Sequence, residues 1–247
     1  MTTASDYAAG LAQATGLLAT WLPTTDLTVG MVGRVVHGGF ERLSTLEELH
    51  GRQPSRVVSL GTTSSSLAIT RGFSLDLTAG VGAPGATATG RFSRENAFLF
   101  RADGCQSSGF ANPLTVQSAI RALAASGVWD STWLTVTEVC TVTSFTTVVA
   151  RQAETLVQLA LGGESDDSDV SNIVHAGAKV SLLSGDAVIF STTEAATPLF
   201  RAYRLKRGLL GSVGFRVERG LTADDMTTEQ ATLADIADLY AAPLDTA

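Results

Sequence analysis

The chain has 247 residues, of which 45% are hydrophobic, and its formal net charge is −7 at pH 7. This length suits one large β domain or two small domains. Binding to nucleic acid phosphates needs a surplus of Lys and Arg, so the acidic balance argues against a nucleic-acid partner. Glycine is frequent (24 residues) and proline is scarce (6), which favours turns between strands over a helical bundle.

The uncharged N-terminal segment 7–25 has the length of a signal peptide or of a membrane span, but it fits neither. No Lys or Arg precedes it, and Gln13 and Pro23 make it a poor span. Four of its apolar residues recur at nearly helical spacing: Tyr7, Leu11, Leu18 and Trp21. The segment therefore predicts a surface helix packed on the core, and we expect the chain to be cytoplasmic as made.

Runs of β-branched or alternating residues predict strands over most of the chain. These strands cover residues 27–36, 56–60, 66–70, 73–78, 86–92, 97–102, 133–150, 155–161, 179–183, 187–191, 199–206 and 213–218. Residues 179–183 and 187–191 flank the turn Ser184-Gly185-Asp186, so we expect these two strands to form a hairpin.

Three further segments predict helices. Ser44-Thr45-Leu46-Glu47 has the spacing of a capping box and Gly51 supplies a stop, which indicates a short helix at 45–50. Asn112 and Pro113 suit the start of a helix that ends at Gly127. We expect this helix to bury one face, made of Leu114, Ile120 and Leu123. The last predicted helix, 228–241, has apolar residues at i, i+3, i+4 and i+7: Leu233, Ile236, Ala237 and Tyr240.

Together these elements predict an α+β fold. We expect a single domain with a twisted, mostly antiparallel β-sheet, flanking helices and a C-terminal amphipathic helix. The β-rich core would extend over residues 1–220, followed by an acidic tail at 221–247.

Two motifs resemble ligand-binding loops but lack essential residues. Residues 80–85 fit G-x-G-x-x-G, yet the segment after Pro84 does not open a helix, and a P-loop would need Lys where Ala86 stands. The acidic segment 164–169 begins like a calcium loop, but the central Gly and the final Glu are missing. A wide hairpin turn and a solvated loop explain the two segments better.

The residues also indicate no enzyme active site and imply no cofactor. His37, His50 and His175 lie far apart in sequence, and no G-x-S-x-G elbow is present. Cys105 and Cys140 are too few to form a zinc site. They can pair, although two isolated cysteines are more often buried free thiols.

Charge is distributed unevenly near the C-terminus. Five basic residues define a predicted lipid-facing basic patch: Arg201, Arg204, Lys206, Arg207 and Arg216. From residue 221 onward there are six acidic residues and no basic residue, so removing this tail changes the formal charge from −7 to −1. An ordinary terminal helix that covers the sheet would explain the pattern. The alternative is a removable cover over a surface that binds anionic lipid.

The segment 133–150 alternates Val and Thr over a length that exceeds the 9–11 residues a barrel strand needs to cross a bilayer. It is a candidate membrane strand, although a long strand in a soluble sheet has the same pattern. Its candidate residues are Trp133, Leu134, Val136, Glu138, Cys140 and Val142.

The run Trp133-Leu134-Thr135-Val136-Thr137-Glu138-Val139, followed by the Thr/Val-rich 140–150, resembles the W-x-x-V-T-E-V strand of gasdermin pore-forming domains, especially prokaryotic ones. The resemblance implies a β-rich domain with a short inhibitory tail, and pore formation after a protease removes that tail. The N-terminal cysteine that prokaryotic members often carry for lipidation has no counterpart before Cys105.

We therefore predict a non-enzymatic pore-forming effector without cofactor. Its expected partners are membrane lipid after activation, an activating protease and further copies of the chain in the active oligomer. It would be cytoplasmic when inactive and at the membrane when active. The alternative is a binding or assembly protein whose β-sheet docks a partner chain.

Overall fold

Strands make up most of the described part of the chain. The computed structural model describes residues 3–24, 27–36, 39–76, 87–160, 176–207, 213–214 and 227–230. Its helices there are α1 (Thr3–Thr15), α2 (Leu46–His50) and α3 (Pro113–Ala125). Its strands there are β1 (Leu18–Thr24), β2 (Met31–Val36), β3 (Gly39–Thr45), β4 (Val57–Arg71), β5 (Phe73–Asp76), β6 (Thr87–Phe92), β7 (Phe98–Phe110), β8 (Leu134–Val142), β9 (Ser144–Ala150), β10 (Thr155–Ala160), β11 (Val180–Ser184), β12 (Ala187–Thr192), β13 (Ala196–Arg207), β14 (Val213–Gly214) and β15 (Thr227–Gln230).

The strands form two antiparallel sheets. The large sheet has the order β1-β13-β8-β7-β9-β12, with β4 on the opposite edge of β7. The hairpin β2–β3 joins it through β8, and β14 and β15 join it through β13. The small sheet has the order β11-β10-β6-β5. The chain is thus a single α+β domain with mostly antiparallel pairing, as the sequence predicts.

Each strand of the small sheet is joined by a short corner to a strand of the large sheet. Strand β4 leads into β5 at Gly72, and β6 leads into β7 through 93–97. Strand β9 leads into β10 through 151–154, and β11 leads into β12 through 185–186. The order β4, β7, β9, β12 in the large sheet is therefore repeated as β5, β6, β10, β11 in the small sheet. The small sheet is the folded-over continuation of four neighbouring strands.

Three apolar clusters hold these layers together. The α1 cluster joins helix α1 to the large sheet, and its members include Tyr7, Leu11, Phe98, Phe100 and Phe200. The α3 cluster lies beneath α2 and α3, and its members include Leu46, Phe110, Val116, Ile120 and Leu123. The corner cluster fills the space between the two sheets, and its members include Phe92, Leu99, Val148, Val157 and Leu159. Each buried aliphatic or aromatic side chain of this size contributes roughly 1.5–3 kcal/mol.

Strand β7 bends in its middle, and the pairing on its two edges differs around the bend. On one edge it pairs with β8 and then with β9 in one unbroken register, from Gly109 opposite Glu138 to Phe98 opposite Val149. The strand predicted at 133–150 is thus one long ladder interrupted only at Thr143. On the other edge the register of β4 shifts twice, within residues 59–64.

Glycine makes this bend possible. Gly104 has φ +67°, a conformation that side chains rarely adopt. Before Gly104, the β7 residues that belong to the α1 cluster are even-numbered, as Phe98 and Phe100 show. After Gly104, the β7 residue in this cluster is the odd-numbered Cys105. Thr143, beside Gly104, donates from its amide and its hydroxyl to the carbonyl of Asp103 at 2.9 and 3.1 Å. The face that packs on the core therefore changes phase at the bend.

Both predicted interior helices are present, with corrections. The capping box begins at Thr45, not at Ser44, because the Thr45 hydroxyl accepts from the Glu48 amide and the Glu48 carboxylate accepts from the Thr45 amide. Gly51 ends this helix with φ 77°, as predicted. In α3, Asn112 is the N-cap, whereas Leu114 is 65% exposed. Leu114 was expected on the buried face, but that face begins at the next turn, with Val116, Ala119, Ile120 and Leu123.

Two further predictions change because long-range pairing overrides local pattern. Leu18 and Trp21, expected in the first helix, lie in β1, which pairs with β13. The strands expected as a hairpin around Gly185 belong to different sheets, since β11 pairs with β10 and β12 pairs with β9. Ser184-Gly185-Asp186 is consequently a corner between layers.

The prediction of a C-terminal helix is wrong for its first residues. Residues 228–230, expected in the first turn of the last helix, belong to β15, which pairs with Tyr203–Lys206 of β13. Strand β1 begins opposite Phe200, so β13 offers an open edge from there on, and pairing with β15 satisfies its backbone groups. Residues 231–247 lie outside the described part of the chain.

The bend yields a first prediction. A Cβ at Gly104 would stand 2.6 Å from the Thr143 hydroxyl oxygen, in addition to the strain of positive φ. We expect Gly104→Ala to lower the free energy of unfolding by about 2 kcal/mol, measured by urea denaturation.

Gly127→Ala is the matched control, because Gly127 also has positive φ (76°) but nothing lies within 4 Å of its added Cβ. Its cost should be about 1 kcal/mol, from backbone strain alone. Equal costs for the two variants would show that the contact with Thr143 does not hold the bend.

Candidate functional site

The candidate membrane strand is β8, in the middle of the large sheet between β13 and β7. Trp133 precedes it and packs edge-on against Trp129, with ring centroids 5.6 Å apart. Leu134, Val136, Cys140 and Val142 are buried, as the apolar side of the pattern suggests. Thr135 and Thr137 are buried as well. In this structure β8 is therefore covered on both faces over its first half.

Glu138, the charged residue of this strand, forms an ion pair across the sheet. It lies directly opposite Arg201 of β13, and the two side chains meet at 2.7 Å. The Glu138 side chain is 15% exposed and that of Arg201 is 35% exposed. The Thr137 hydroxyl also donates to the Arg201 carbonyl at 3.3 Å. One cation of the predicted basic patch is thus held by the candidate membrane strand.

This ion pair borders a small cavity of about 160 Å³ beneath the start of α3. Its other lining residues are Leu60, Gly109, Phe110, Pro113, Val116, Thr137 and Tyr203. The surroundings are mainly apolar, so an unpaired charge here would be costly. We infer that Glu138 and Arg201 hold β8 and β13 in register by neutralising each other.

The rest of the basic patch is only partly described. Arg204 is half-buried on β13, opposite Leu134 of β8 and opposite Glu229 of β15 in the ladder. Arg201 and Arg204 are three residues apart, so regular alternation directs them to opposite faces of the sheet. Lys206 and Arg207 belong to β13, but their side chains lie outside the described part, as does Arg216.

The predicted autoinhibitory residues Leu233, Ile236, Ala237 and Tyr240 lie outside the described residues. The same holds for His37, for His175, for the glycine-rich turn at 80–85 and for the acidic segment at 164–169. His50 ends α2 and borders an open groove with Arg52 and Leu114. Within the described ranges, no three His, Cys, Asp or Glu side chains come together as a metal site.

Sequence reasoning missed a buried polar site near the bend. Arg101 is buried on β7 and pairs with Asp103 at 3.1 Å. Asp103 also accepts from the amide of Ala176, and Thr146, opposite Arg101, accepts from the amide of Gly177. These bonds anchor the start of the segment that leads into β11. The sequence could have indicated this ion pair, because Arg101 and Asp103 are two residues apart and residues i and i+2 of a strand share a face.

The fold is that of a mixed α+β protein with two mainly antiparallel sheets. No protein-family model matches the chain, and no curated protein matches it. The gasdermin resemblance of residues 133–150 therefore stays a prediction from those residues. Among the residues that the structure describes, no helix is both long and apolar enough to cross a membrane.

The ion pair yields a second prediction. We expect a double-mutant cycle of Glu138→Ala and Arg201→Ala to give a coupling energy of about 1.5 kcal/mol in the free energy of unfolding. The reason is that each single change leaves a partly buried charge without its partner.

The matched control is the cycle of Arg34→Ala and Glu41→Ala. That pair meets at 2.6 Å across β2 and β3, but both of its side chains are 47% exposed. Solvent screens it, so its coupling energy should lie within error of zero. If the two cycles give the same coupling energy, burial does not strengthen the Glu138–Arg201 pair.

Proposed function

We propose that this protein is a membrane-perturbing, pore-forming effector that its C-terminal tail holds inactive until proteolysis. The observation that carries the proposal is the fold-over of four neighbouring strands. The segments 57–76, 87–110, 134–160 and 180–207, here named the corner strands, run through both sheets in the same lateral order. No strand needs to change neighbours for the small sheet to swing out and extend the large one.

Length supports this proposal. A barrel strand crosses a bilayer with about 9–11 residues. Each corner strand has at least twenty residues, so it can span the hydrocarbon region and still keep paired residues in the large sheet. Strands β5 and β6 are consecutive in the chain and paired in the small sheet, as are β10 and β11, so the corner strands are joined in pairs through the small sheet.

The side-chain pattern of the small sheet also supports it. Burial alternates along β5, β6 and β10, with the apolar residues directed into the corner cluster. The other face is more exposed and carries Ser74, Arg91 and Gln158 on neighbouring strands, together with Leu156 beside Arg91. Strand β11 does not alternate, and its Leu182 and Leu183 are exposed. If the layer swings out, the apolar face meets lipid and the polar face lines a water-filled lumen, as in membrane barrels.

This pattern makes the small-sheet strands better candidates for insertion than β8. Strand β8 carries Glu138 in its middle, beside the register shift between Glu138 and Val136, so insertion of β8 would bring a carboxylate into the membrane. In the small sheet the charged residues Asp76 and Arg91 both occur at exposed positions. We therefore assign β8 to the part of the sheet that stays above the membrane.

The edges of the sheets suit self-association. In the described part of the chain, β4 and β5 each pair on one edge only, at one side of both layers. Strands β11 and β12 likewise pair on one edge only, at the other side. An antiparallel contact between these two edges would continue both sheets from one copy to the next. Because the two edges are different surfaces, such contacts build a ring and not a closed dimer. The active form in this proposal is a homo-oligomer.

In the proposal the tail restrains this change. Six acidic residues follow residue 220, and Glu229 lies opposite Arg204 in the β13 ladder. Anionic lipid would compete for the same cations once a protease has removed the tail. The protein would be cytoplasmic while the tail is attached and at the membrane afterwards, and it would need no cofactor.

A second candidate function rests on the β4 edge. This strand has fifteen residues, and its exposed start includes Val57 (39% exposed) and Leu60 (52% exposed). An open edge with apolar side chains is a template for an added strand. A binding or assembly protein would use this edge to dock an extended segment of another chain.

Truncation tests the leading proposal. Three proteins are compared in dye release from anionic vesicles: the full chain, a chain that ends at Gln230 and a chain that ends at Gly220. The first truncation keeps β15, whereas the second also removes it from β13. Burying side chains such as Leu233 and Ile236 would contribute roughly 1.5–3 kcal/mol each, so their loss should raise release at least about tenfold.

Neutral vesicles are the control for the basic patch, and release from them should be weaker. Thermal melting shows whether each truncated protein is folded. A folded chain ending at Gln230 that releases no dye from either kind of vesicle would refute the effector. Such a protein, if it also bound an extended peptide, would support the second candidate function.

A pair of core variants tests the fold-over. Leu159 lies in the corner cluster and Leu11 in the α1 cluster, and both are fully buried. Leu159→Ala and Leu11→Ala should each lower the free energy of unfolding by about 2–5 kcal/mol. In the chain ending at Gln230, only Leu159→Ala should increase the rate of dye release, because it alone loosens the two layers.

The comparison is made at temperatures where the two variants are equally folded. Equal rates would mean that release follows general unfolding, and the swing-out of the small sheet would then be wrong.

A further inference from the structure

The two cysteines of the chain meet inside the protein. Cys105 on β7 and Cys140 on β8 are 1% and 2% exposed, and both thiols are free. Cys140 pairs with Ser107 in the ladder, and Cys105 lies two residues from Ser107 on the same strand face. The two thiols are therefore diagonal neighbours, near enough to interact, and the Cys105 thiol also lies 3.9 Å from the carbonyl oxygen of Ala102.

Their surroundings make the two thiols chemically different. The hydrogen bond from the Cys105 thiol, together with one from the Ser107 hydroxyl, lowers the pKa of Cys140. The pKa of Cys105 is raised, because it donates to Cys140 and because it is buried. The Cys140 thiolate is thus the nucleophile of the pair, and Cys105 stands beside it as a second thiol that can attack the oxidised sulfur.

The pair is located at the bend of the large sheet. Cys105 directly follows Gly104, and Cys140 precedes the interruption at Thr143 by three residues. A covalent bond here would join β7 to β8 at the place where the ladder is interrupted.

We propose that Cys105 and Cys140 are a reversible redox pair that closes into an intramolecular disulfide when the protein meets a peroxide. The Cys140 thiolate attacks one oxygen of hydrogen peroxide, the O–O bond breaks, and the departing hydroxide takes up a proton to give water. Cys140 is then a sulfenic acid. The Cys105 sulfur attacks the Cys140 sulfur, the S–S bond forms and the S–O bond breaks. Hydroxide leaves with the Cys105 proton as a second water. The two thiols lose two electrons, which reduce the peroxide.

The disulfide does not depend on the proposed function. Because both thiols are buried, oxidation requires the sheet to open briefly, and it should take minutes or longer.

The test uses the full chain treated with hydrogen peroxide and analysed by intact mass and non-reducing peptide mapping. We expect the loss of two hydrogen atoms, a peptide pair joined through Cys105 and Cys140, and recovery of both thiols with a dithiol reductant. The melting temperature of the oxidised protein should rise by roughly 5 °C or more, because the disulfide closes a loop of the unfolded chain.

Ser107→Ala removes the hydroxyl donor to Cys140 and should slow disulfide formation several-fold while both cysteines remain. Ser108→Ala is the matched control, since Ser108 pairs with Val139 and borders a different groove. Its rate should equal that of the unchanged protein. Cys140→Ala should leave Cys105 without a disulfide inside the molecule.

Three results would overturn the redox pair: both thiols stay reduced in the native protein, oxidation stops at acids of sulfur without an S–S bond, or the disulfide joins two molecules.

Discussion

The ladder along β7 is the constraint on which the other elements depend. Its thirteen residues pair with β4 on one edge and with the consecutive strands β8 and β9 on the other, so two segments far apart in sequence are set in register by one strand. Strand β13 then adds to β8, and β12 adds to β9. The helices and the small sheet pack on faces that this ladder has already defined. Because Gly104 changes the phase of alternation midway, β7 supplies residues to all three apolar clusters.

The bend and the corners solve the same packing problem at two places. A strand long enough to run the whole length of the molecule would leave one apolar face in water. Folding four strands over together buries that face in the corner cluster without breaking the order of neighbours. The backbone strain of this arrangement is concentrated at the corners and at the bend, where glycines and register shifts interrupt the regular strand pairing. A layer held mainly by apolar contact can separate when a membrane offers those side chains another apolar environment.

Local patterns predicted the elements better than their partners. The cap at Asn112 and the stop at Gly51 depend on neighbouring residues, so sequence alone identifies both helices. The pairing of β1 with β13 joins residues about 180 positions apart, and no local signal in Leu18 or Trp21 distinguishes that strand from a helix. The hairpin expected at Gly185 has the right turn and the right strands. Its error is topological, because a turn between two strands does not specify whether they pair or separate into layers.

At the candidate site, too, the local pattern identifies the strand but not the residues that pair with it. This difference affects the functional interpretation. Alternation along 133–150 predicts a strand with an apolar side, and β8 is such a strand. The partner of Glu138 could not be found that way, since Arg201 is brought opposite it only by the β8–β13 register. A neutralised carboxylate suits the interior of a sheet, whereas in hydrocarbon either member of the pair would carry a penalty of about 2–4 kcal/mol for Arg and less for Glu. The small sheet has no such obstacle, because Asp76 and Arg91 are on its exposed face. Two roles that the sequence pattern assigned to one strand therefore separate: β8 holds the large sheet together, and in the proposed function the folded-over strands would be the ones that enter the bilayer.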